Sequence, residues 1–180
     1  MPIRPSTPDD IPAIAAIYDE AVRTGTASFE LTPPGVAEMA RRHAALVEGG
    51  YPYLVMEEAG TILGYAYAGA FRPRIAYRHT VENSIYVAPA AQGRGIGRAL
   101  LEALVEECAA RGFRQMVAVI GDSANTGSIA LHAACGFAHV GVLAATGLKF
   151  GRWIDTVLMQ RSLGSGAAGV PEEADLGFSG

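Results

Sequence analysis

The sequence predicts one α/β (α+β) domain, a single mixed central sheet with helices on its faces. Three observations carry that expectation. Apolar residues recur at helical spacing in several stretches, strand-like runs fill residues 53–87 and 115–160, and the elements run strands, helix, strand, helix, strands. With 180 residues, half of them hydrophobic (50%), the chain has the length of one domain and enough apolar surface for a sizeable core. The predicted domain covers residues 1–163, and residues 164–180 read as a flexible Gly/Ala-rich acidic tail.

A short strand near Ile3 comes first. A helix then opens at the acidic turn Thr7-Pro8-Asp9-Asp10 and carries Ile11, Ile14, Ile17, Ala21 and Val22 on one side. A loop through Gly25 and Pro33-Pro34 leads to a second helix, with Val36, Met39, His43, Leu46 and Val47 on one face and Gly49-Gly50 at its end. YLVMEE and TILGYAYAG, joined at Ala59-Gly60, read as a hairpin. The loop FRPRIAYRH precedes the strand TVENSIYV, and a glycine stretch opens a helix that Gly112 stops. An apolar strand QMVAVI, a turn GDSAN, a short helix SIALHAA and strands around 140–143 and 155–160 complete the chain.

Composition excludes several classes of function. The net charge is -4, three of the acids (Glu172, Glu173, Asp175) lie in the tail, and no basic stripe exists to neutralise phosphates, so nucleic acid is not an expected partner. MPIRPSTPDD lacks the apolar core of a signal peptide, and no run is long enough to span a bilayer, so no membrane partner is expected. Cys108 and Cys135 lie far apart on separate predicted helices, which fits a reducing cytoplasm. The four histidines show no metal-site spacing, and no metal is expected.

The glycine stretch AAQGRGIGRALLEAL, residues 90–104, is the first chemical signal. A dinucleotide fingerprint would need glycine where Arg98 or Leu100 stands, and a P-loop needs Gly-Lys, whereas the only lysine is Lys149. What remains is a loop, Gln92-Gly93-Arg94-Gly95-Ile96-Gly97, ahead of a helix striped with Leu100, Leu101, Leu104, Val105 and Cys108. Free helix-start amides, glycines that let an anion approach, and the positive end of the dipole make such a loop fit for a diphosphate. A bare strand-to-helix turn is the alternative.

The segment Tyr86–Leu101, reading YV, four residues, then QGRGIGRALL, resembles the coenzyme A pyrophosphate loop of the GNAT N-acetyltransferase superfamily, with Gln92, Gly95 and Gly97 matching position by position. FRPRIAYRHTVENSIYV, VAVIGDSAN, SIALHAACGF and LKFGRWIDTVLMQR look like blocks of the phosphinothricin/methionine sulfoximine acetyltransferase subfamily, so the likeness spans about residues 3 to 163. It implies the GNAT-type sheet, acetyl-CoA as co-substrate, a small amino-acid acceptor and a homodimer.

Direct transfer from a thioester to an amine needs a bound donor, a neutral nucleophile, an oxyanion donor and a proton for the departing thiolate. By resemblance, the diphosphate lies on the amides of Gly93 to Arg98, with Arg94 and Arg98 adding charge, and pantetheine pairs with Ile85, Tyr86 and Val87. The Val87 amide is then the oxyanion donor. Alternation in TVENSIYV puts Glu82 on one face with Thr80, Ser84 and Tyr86, opposite Val81, Ile85 and Val87. Read from the residues alone, Glu82 is either a solvated acid or a base, and the resemblance implies the general base.

His132 sits on the apolar side of its short helix, at a point where many members of the superfamily carry a thiolate-protonating Tyr and the resembled subfamily a His; it is either a packed core residue or an aid to proton transfer from either side of the reaction. Asn125 is placed to cap that helix, to bind the pantetheine arm, or both. Arg72, Arg74 and Arg78, with Phe71 and Pro73, suit an acceptor bearing anionic groups. The resemblance adds Asn83, Ser84 and Lys149 to the acceptor side. The expected function is acetylation of the α-amine of phosphinothricin, methionine sulfoximine or methionine sulfone. The alternatives are another small amine or a silent acyl-CoA-binding module.

Overall fold

The computed structural model describes residues 1–171, and the acids Glu172, Glu173 and Asp175 of the expected tail lie outside the described residues. Seven strands and four α-helices follow in order: β1 (Ile3–Pro5), α1 (Ile11–Thr24), α2 (Gly35–Glu48), β2 (Tyr53–Glu58), β3 (Thr61–Ala70), β4 (Thr80–Val87), α3 (Ile96–Ala110), β5 (Gln115–Gly121), α4 (Thr126–Ala134), β6 (Ala138–Lys149) and β7 (Arg152–Ser162). They build one sheet in the order β1-β2-β3-β4-β5-β7-β6.

Every neighbouring pair is antiparallel except β4 and β5. A parallel pair needs a crossover, and α3 supplies it. That pair is also incomplete. β4 and β5 register only from Thr80 with Gln115 to Asn83 with Ala118, although β4 runs on to Val87 and β5 to Gly121. Beyond Asn83 the two strands part, and a gap opens in the middle of the sheet.

The two faces hold separate cores, as alternation requires. Leu54, Met56, Ala66, Ala68 and Val81 face α3, whose Leu100, Leu101 and Leu104 are fully buried against them. Val55, Tyr53 and Tyr65 face α1 and α2 through Ile14, Tyr18, Val22 and Met39. Gly64 is required on the α3 face, because a side chain there would press on the Tyr86 carbonyl and on Leu100.

The last hairpin is longer than the sequence suggests. β6 and β7 were expected around 140–143 and 155–160, but they pair from Ala138 with Gln160 to Lys149 with Arg152. The register shifts between Leu143 and Gly147, where Ala145 takes a positive φ of 53°, and this interrupts the two-residue period. At the carboxyl end, residues 164–171 make turns, with the Gly166 amide on the Leu163 carbonyl and the Ala168 amide on the Ser165 carbonyl.

Candidate active site

The gap between β4 and β5 is the mouth of a cleft of about 950 Å³. Glu82, Ser84 and Tyr86 line it from the α1/α2 face, and Asn83, Ile85 and Val87 from the α3/α4 face, so the cleft passes through the sheet. Because a strand residue directs its own N–H and C=O to one side, the alternation along β4 can be read from its hydrogen bonds. The Thr80 carbonyl and the Ala88 amide bond toward β3. By parity the amides of Ile85 and Val87 turn the other way, toward the gap, where β5 no longer meets them.

At one end of the cleft, Gly93 (φ 74°) and Gly95 (φ 79°) take left-handed backbone that side chains rarely adopt, and a Cβ at either would face open space. Gly95 is the N-cap of α3 and contributes no side-chain cap, so the first-turn amides stay available for an anion. Gly97 packs more closely: a Cβ there would sit 3.3 Å from the Leu131 side chain and 3.7 Å from Val87, so α3 lies tight against α4 and in contact with β4 at this point.

The Acetyltransferase (GNAT) family matches residues 14–137. Phosphinothricin N-acetyltransferase of Alcaligenes faecalis is 57% identical over 164 residues, covering 91% of this chain and 83% of that protein. The L-methionine sulfoximine/L-methionine sulfone acetyltransferase of Pseudomonas aeruginosa is 43% identical over 162 residues, 89% of this chain and 94% of that one. The chain belongs to the GNAT acetyltransferase family. Among solved structures, the GNAT superfamily phosphinothricin acetyltransferase from Sinorhizobium meliloti in complex with AcCoA superposes with a TM-score of 0.93 at 52% identity, covering 96% of this chain and 94% of that one.

Within this GNAT cleft, Glu82 registers with Gly69 on β3 and Val117 on β5. Half-buried, its carboxyl is pushed above the usual range by loss of solvent, a shift that the charge of Arg72 partly opposes. No side chain among the described residues hydrogen-bonds it.

His132 is 4% exposed and lies on the opposite face of β4 from Glu82. Its Nδ1 donates to the Ser128 carbonyl at 2.8 Å, and its Nε2 lies 3.1 Å from Asn83 Oδ1. Phe137 packs edge-on to the ring at 5.1 Å. Nε2 and the amide match in one of two ways: an imidazolium donates to the amide oxygen, or a neutral ring accepts from the amide nitrogen. Burial lowers the pKa of His132, which favours the neutral ring; the Asn83 amide then turns its nitrogen to Nε2 and gives up the long 3.5 Å contact from Nδ2 to the Val117 carbonyl. Both ring nitrogens are then committed.

The donor-side residues named from sequence converge: Gln92, Gly93, Gly95, Ile96, Gly97, Arg98 and Asn125 all line the cleft. Gln92 donates to the Val87 carbonyl at 3.4 Å, and Asn125 caps α4 by accepting from the Ser128 amide at 3.2 Å. Arg94 departs from the expectation. Its guanidinium is held by Glu58 at 2.9 Å, on the far side of the glycine loop, and it is not part of the lining.

The acceptor-side residues are more scattered. Asn83 and Ser84 line the cleft, whereas Phe71, Pro73, Arg74 and Arg78 sit on the connection between β3 and β4 outside the lining. Arg72 is outside it too, stacked on Phe71 at 5.1 Å, yet close enough to act on the Glu82 charge and without an ion pair among the described residues. Lys149 is not in the lining either and is buried against Ser28. What the sequence reading missed is the rest of the lining on the Glu82 side: Tyr67 beside it on β3, and a facing wall of Tyr18 from α1 with Ser28, Phe29 and Glu30 from the loop after it. The loop from 25 to 34 has no periodicity to mark it, and its Ser-Phe-Glu triplet was the only chemical trace.

Proposed function

We propose that this GNAT protein acetylates the α-amine of a small amino acid, taking phosphinothricin, methionine sulfoximine or methionine sulfone as acceptor and acetyl-CoA as donor. The observation that carries the reading is the cleft through the sheet, with an uncommitted carboxylate on one face and an anion-ready helix start at its other end. The acceptors follow from the likeness to the phosphinothricin and methionine sulfoximine enzymes.

The first-turn amides of α3 and Arg98 hold the diphosphate, and the outward amides of Ile85 and Val87 pair with the pantetheine arm. The Val87 amide then stabilises the oxyanion. Glu82 takes the proton of the attacking amine, a task suited to a carboxyl whose pKa is raised. Arg72, which has no ion pair among the described residues and whose charge reaches Glu82, grips the acceptor's carboxylate. His132, with both nitrogens engaged, orients Asn83 instead of donating to the thiolate. The residues fit a thioester donor without any acyl-enzyme: the amine adds to the carbonyl carbon, the resulting oxyanion collapses as the C–S bond breaks, and the leaving thiolate takes its proton from water in the open cleft.

We further propose that the protein is cytoplasmic and homodimeric. Cys108 and Cys135 are both buried and free, as in a reducing compartment. The exposed apolar side chains of Val140, Val142, Leu148 and Trp153 on β6 and β7 offer a surface for a second copy. Among the described residues no helix is long and apolar enough to cross a membrane.

Thiol release from acetyl-CoA, measured against phosphinothricin, methionine sulfoximine, methionine sulfone, spermidine and common amino acids, tests the proposal. The expected result is turnover confined to the first three. Silence across the panel with tight acetyl-CoA binding would make the protein a binding module instead.

A further inference from the structure

Residues 25–31 form a strap between α1 and α2, and the inner side of the strap lines the cleft through Ala27, Ser28, Phe29 and Glu30. We infer that Lys149, at the far end of β6, is a positioning residue for this wall: by holding the strap through Ser28 it sets the affinity for the acceptor. The inference rests on the acceptor side of the cleft proposed above.

Lys149 is the chain's only lysine and is 3% exposed. Burying an ammonium is unfavourable unless it is hydrogen-bonded, and this one donates to the Ser28 carbonyl at 2.8 Å across 121 residues of chain. Its ammonium is buried and engaged by the strap's own Ser28 carbonyl, so its effect on an acceptor passes through the strap. Two residues earlier on the same buried side of β6, Gly147 provides a seat for Phe29, since a Cβ there would fall inside the phenyl ring. At the end of β5, Gly121 leaves room for the Thr26 carbonyl in the same way. From the helix side, the Tyr18 hydroxyl meets Ser28 Oγ at 2.8 Å and donates to Glu30 at 3.1 Å. The strap is therefore fastened to β5 and β6 on one flank and to α1 on the other. Remove the β6 fastening and the wall facing Glu82 loses its shape, while the α3 end of the cleft is untouched.

The test uses Lys149→Met, which keeps length and bulk but not the donor, and Gly147→Ala, which fills the Phe29 seat. Each is measured for the KM of the acceptor, the KM of acetyl-CoA, kcat, and backbone amide hydrogen exchange over residues 25–31. Acceptors are methionine sulfone and its carboxamide. The expected result is an acceptor KM raised about ten-fold or more for both acceptors, the range of a lost hydrogen bond to a charged group, with acetyl-CoA KM unchanged and faster exchange in the strap. A defect in Lys149→Met confined to the carboxylate form, with unchanged exchange, would make Lys149 a direct ligand and overturn the proposal. Unchanged exchange and unchanged KM in Lys149→Met would overturn it as well. If Lys149→Met does not fold, unchanged strap exchange and KM in Gly147→Ala overturns it. Should the native protein acetylate neither acceptor, the proposed substrate class fails, and the exchange measurement still decides the strap.

Discussion

His132 Nε2 and Asn83 Oδ1 lie 3.1 Å apart, on the face of β4 opposite the Glu82 carboxylate. The two groups that sequence reading paired as acid and base are thus separated by a strand, and they meet only through the gap where β5 leaves β4. His132 is joined to Asn83, so its contribution passes through that amide.

His132→Ala should lower stability by about 2–4 kcal/mol in denaturant unfolding, because it empties a buried site and strands the Ser128 carbonyl and the Asn83 amide. In the pH profile of kcat/KM, a positioning role leaves the shape intact while the maximum falls. Disappearance of a limb in the variant would instead identify His132 as a proton donor.

The same ring has a pH signature in stability. Its pKa is lowered in the fold by burial, as is that of His43, so the unfolded chain binds protons more readily. Both contributions are complete above the ordinary histidine value of 6.5 and are lost as pH falls from there toward the lower folded pKa. Thermal melts from pH 8 to pH 5 should show Tm dropping below about pH 6.5, and a flat Tm across that window would contradict the buried neutral rings.

Glu82→Gln should reduce kcat/KM by about 10²–10⁴-fold at neutral pH, the usual contribution of a general base. Stability should move the other way. A carboxyl raised by burial is less favourable as the anion in the fold, so its stabilising contribution is present at acid pH and lost as pH rises through the folded pKa. Tm of the glutamine variant at pH 7 is therefore expected at or above that of the parent.

Gly95→Ala places a side chain on a φ of 79° with no neighbour within 4 Å, so the effect is purely one of backbone conformation. The expected destabilisation is about 1–2 kcal/mol, and the variant should bind acetyl-CoA more weakly because the α3 amides shift. Isothermal titration separates the two effects. Equal affinity would remove the glycine loop from the donor site.

Arg72→Ala should raise the acceptor KM by about 10–100-fold for acceptors with a carboxylate, the range for a lost hydrogen bond between charged groups, and should leave acetyl-CoA KM unchanged. Arg94→Ala, by contrast, removes an exposed pair with Glu58 and is expected to change stability by at most about 1 kcal/mol. An Arg94 effect on acetyl-CoA binding larger than that of Arg98→Ala would reverse the assignment of the two arginines.

Local signals carried much of the architecture. The stripe Leu100, Leu101, Leu104, Val105 and Cys108 and the alternation of TVENSIYV are short-range patterns, and each matches its element in place and face. Gln92 to Gly97 were legible as a glycine loop at a helix start because positive φ and uncapped amides are properties of a few consecutive residues. The fold class, the glycine loop at the start of α3 and the face occupied by Glu82 were thus determined by the sequence itself.

Contacts between distant segments were not. Glu58 captures Arg94 across 36 residues, Asn83 meets His132 across 49, and Lys149 reaches Ser28 across 121. The divergence of β4 from β5 after Asn83, which opens the cleft, likewise exists only once α3 has carried the chain back to lay the strands side by side. Side-chain commitments of this kind depend on which neighbours the packed sheet supplies, and periodicity along one strand or helix holds no record of them. Tertiary structure alone decided which arginine is free near Glu82 and that an unpatterned loop forms the wall across from it.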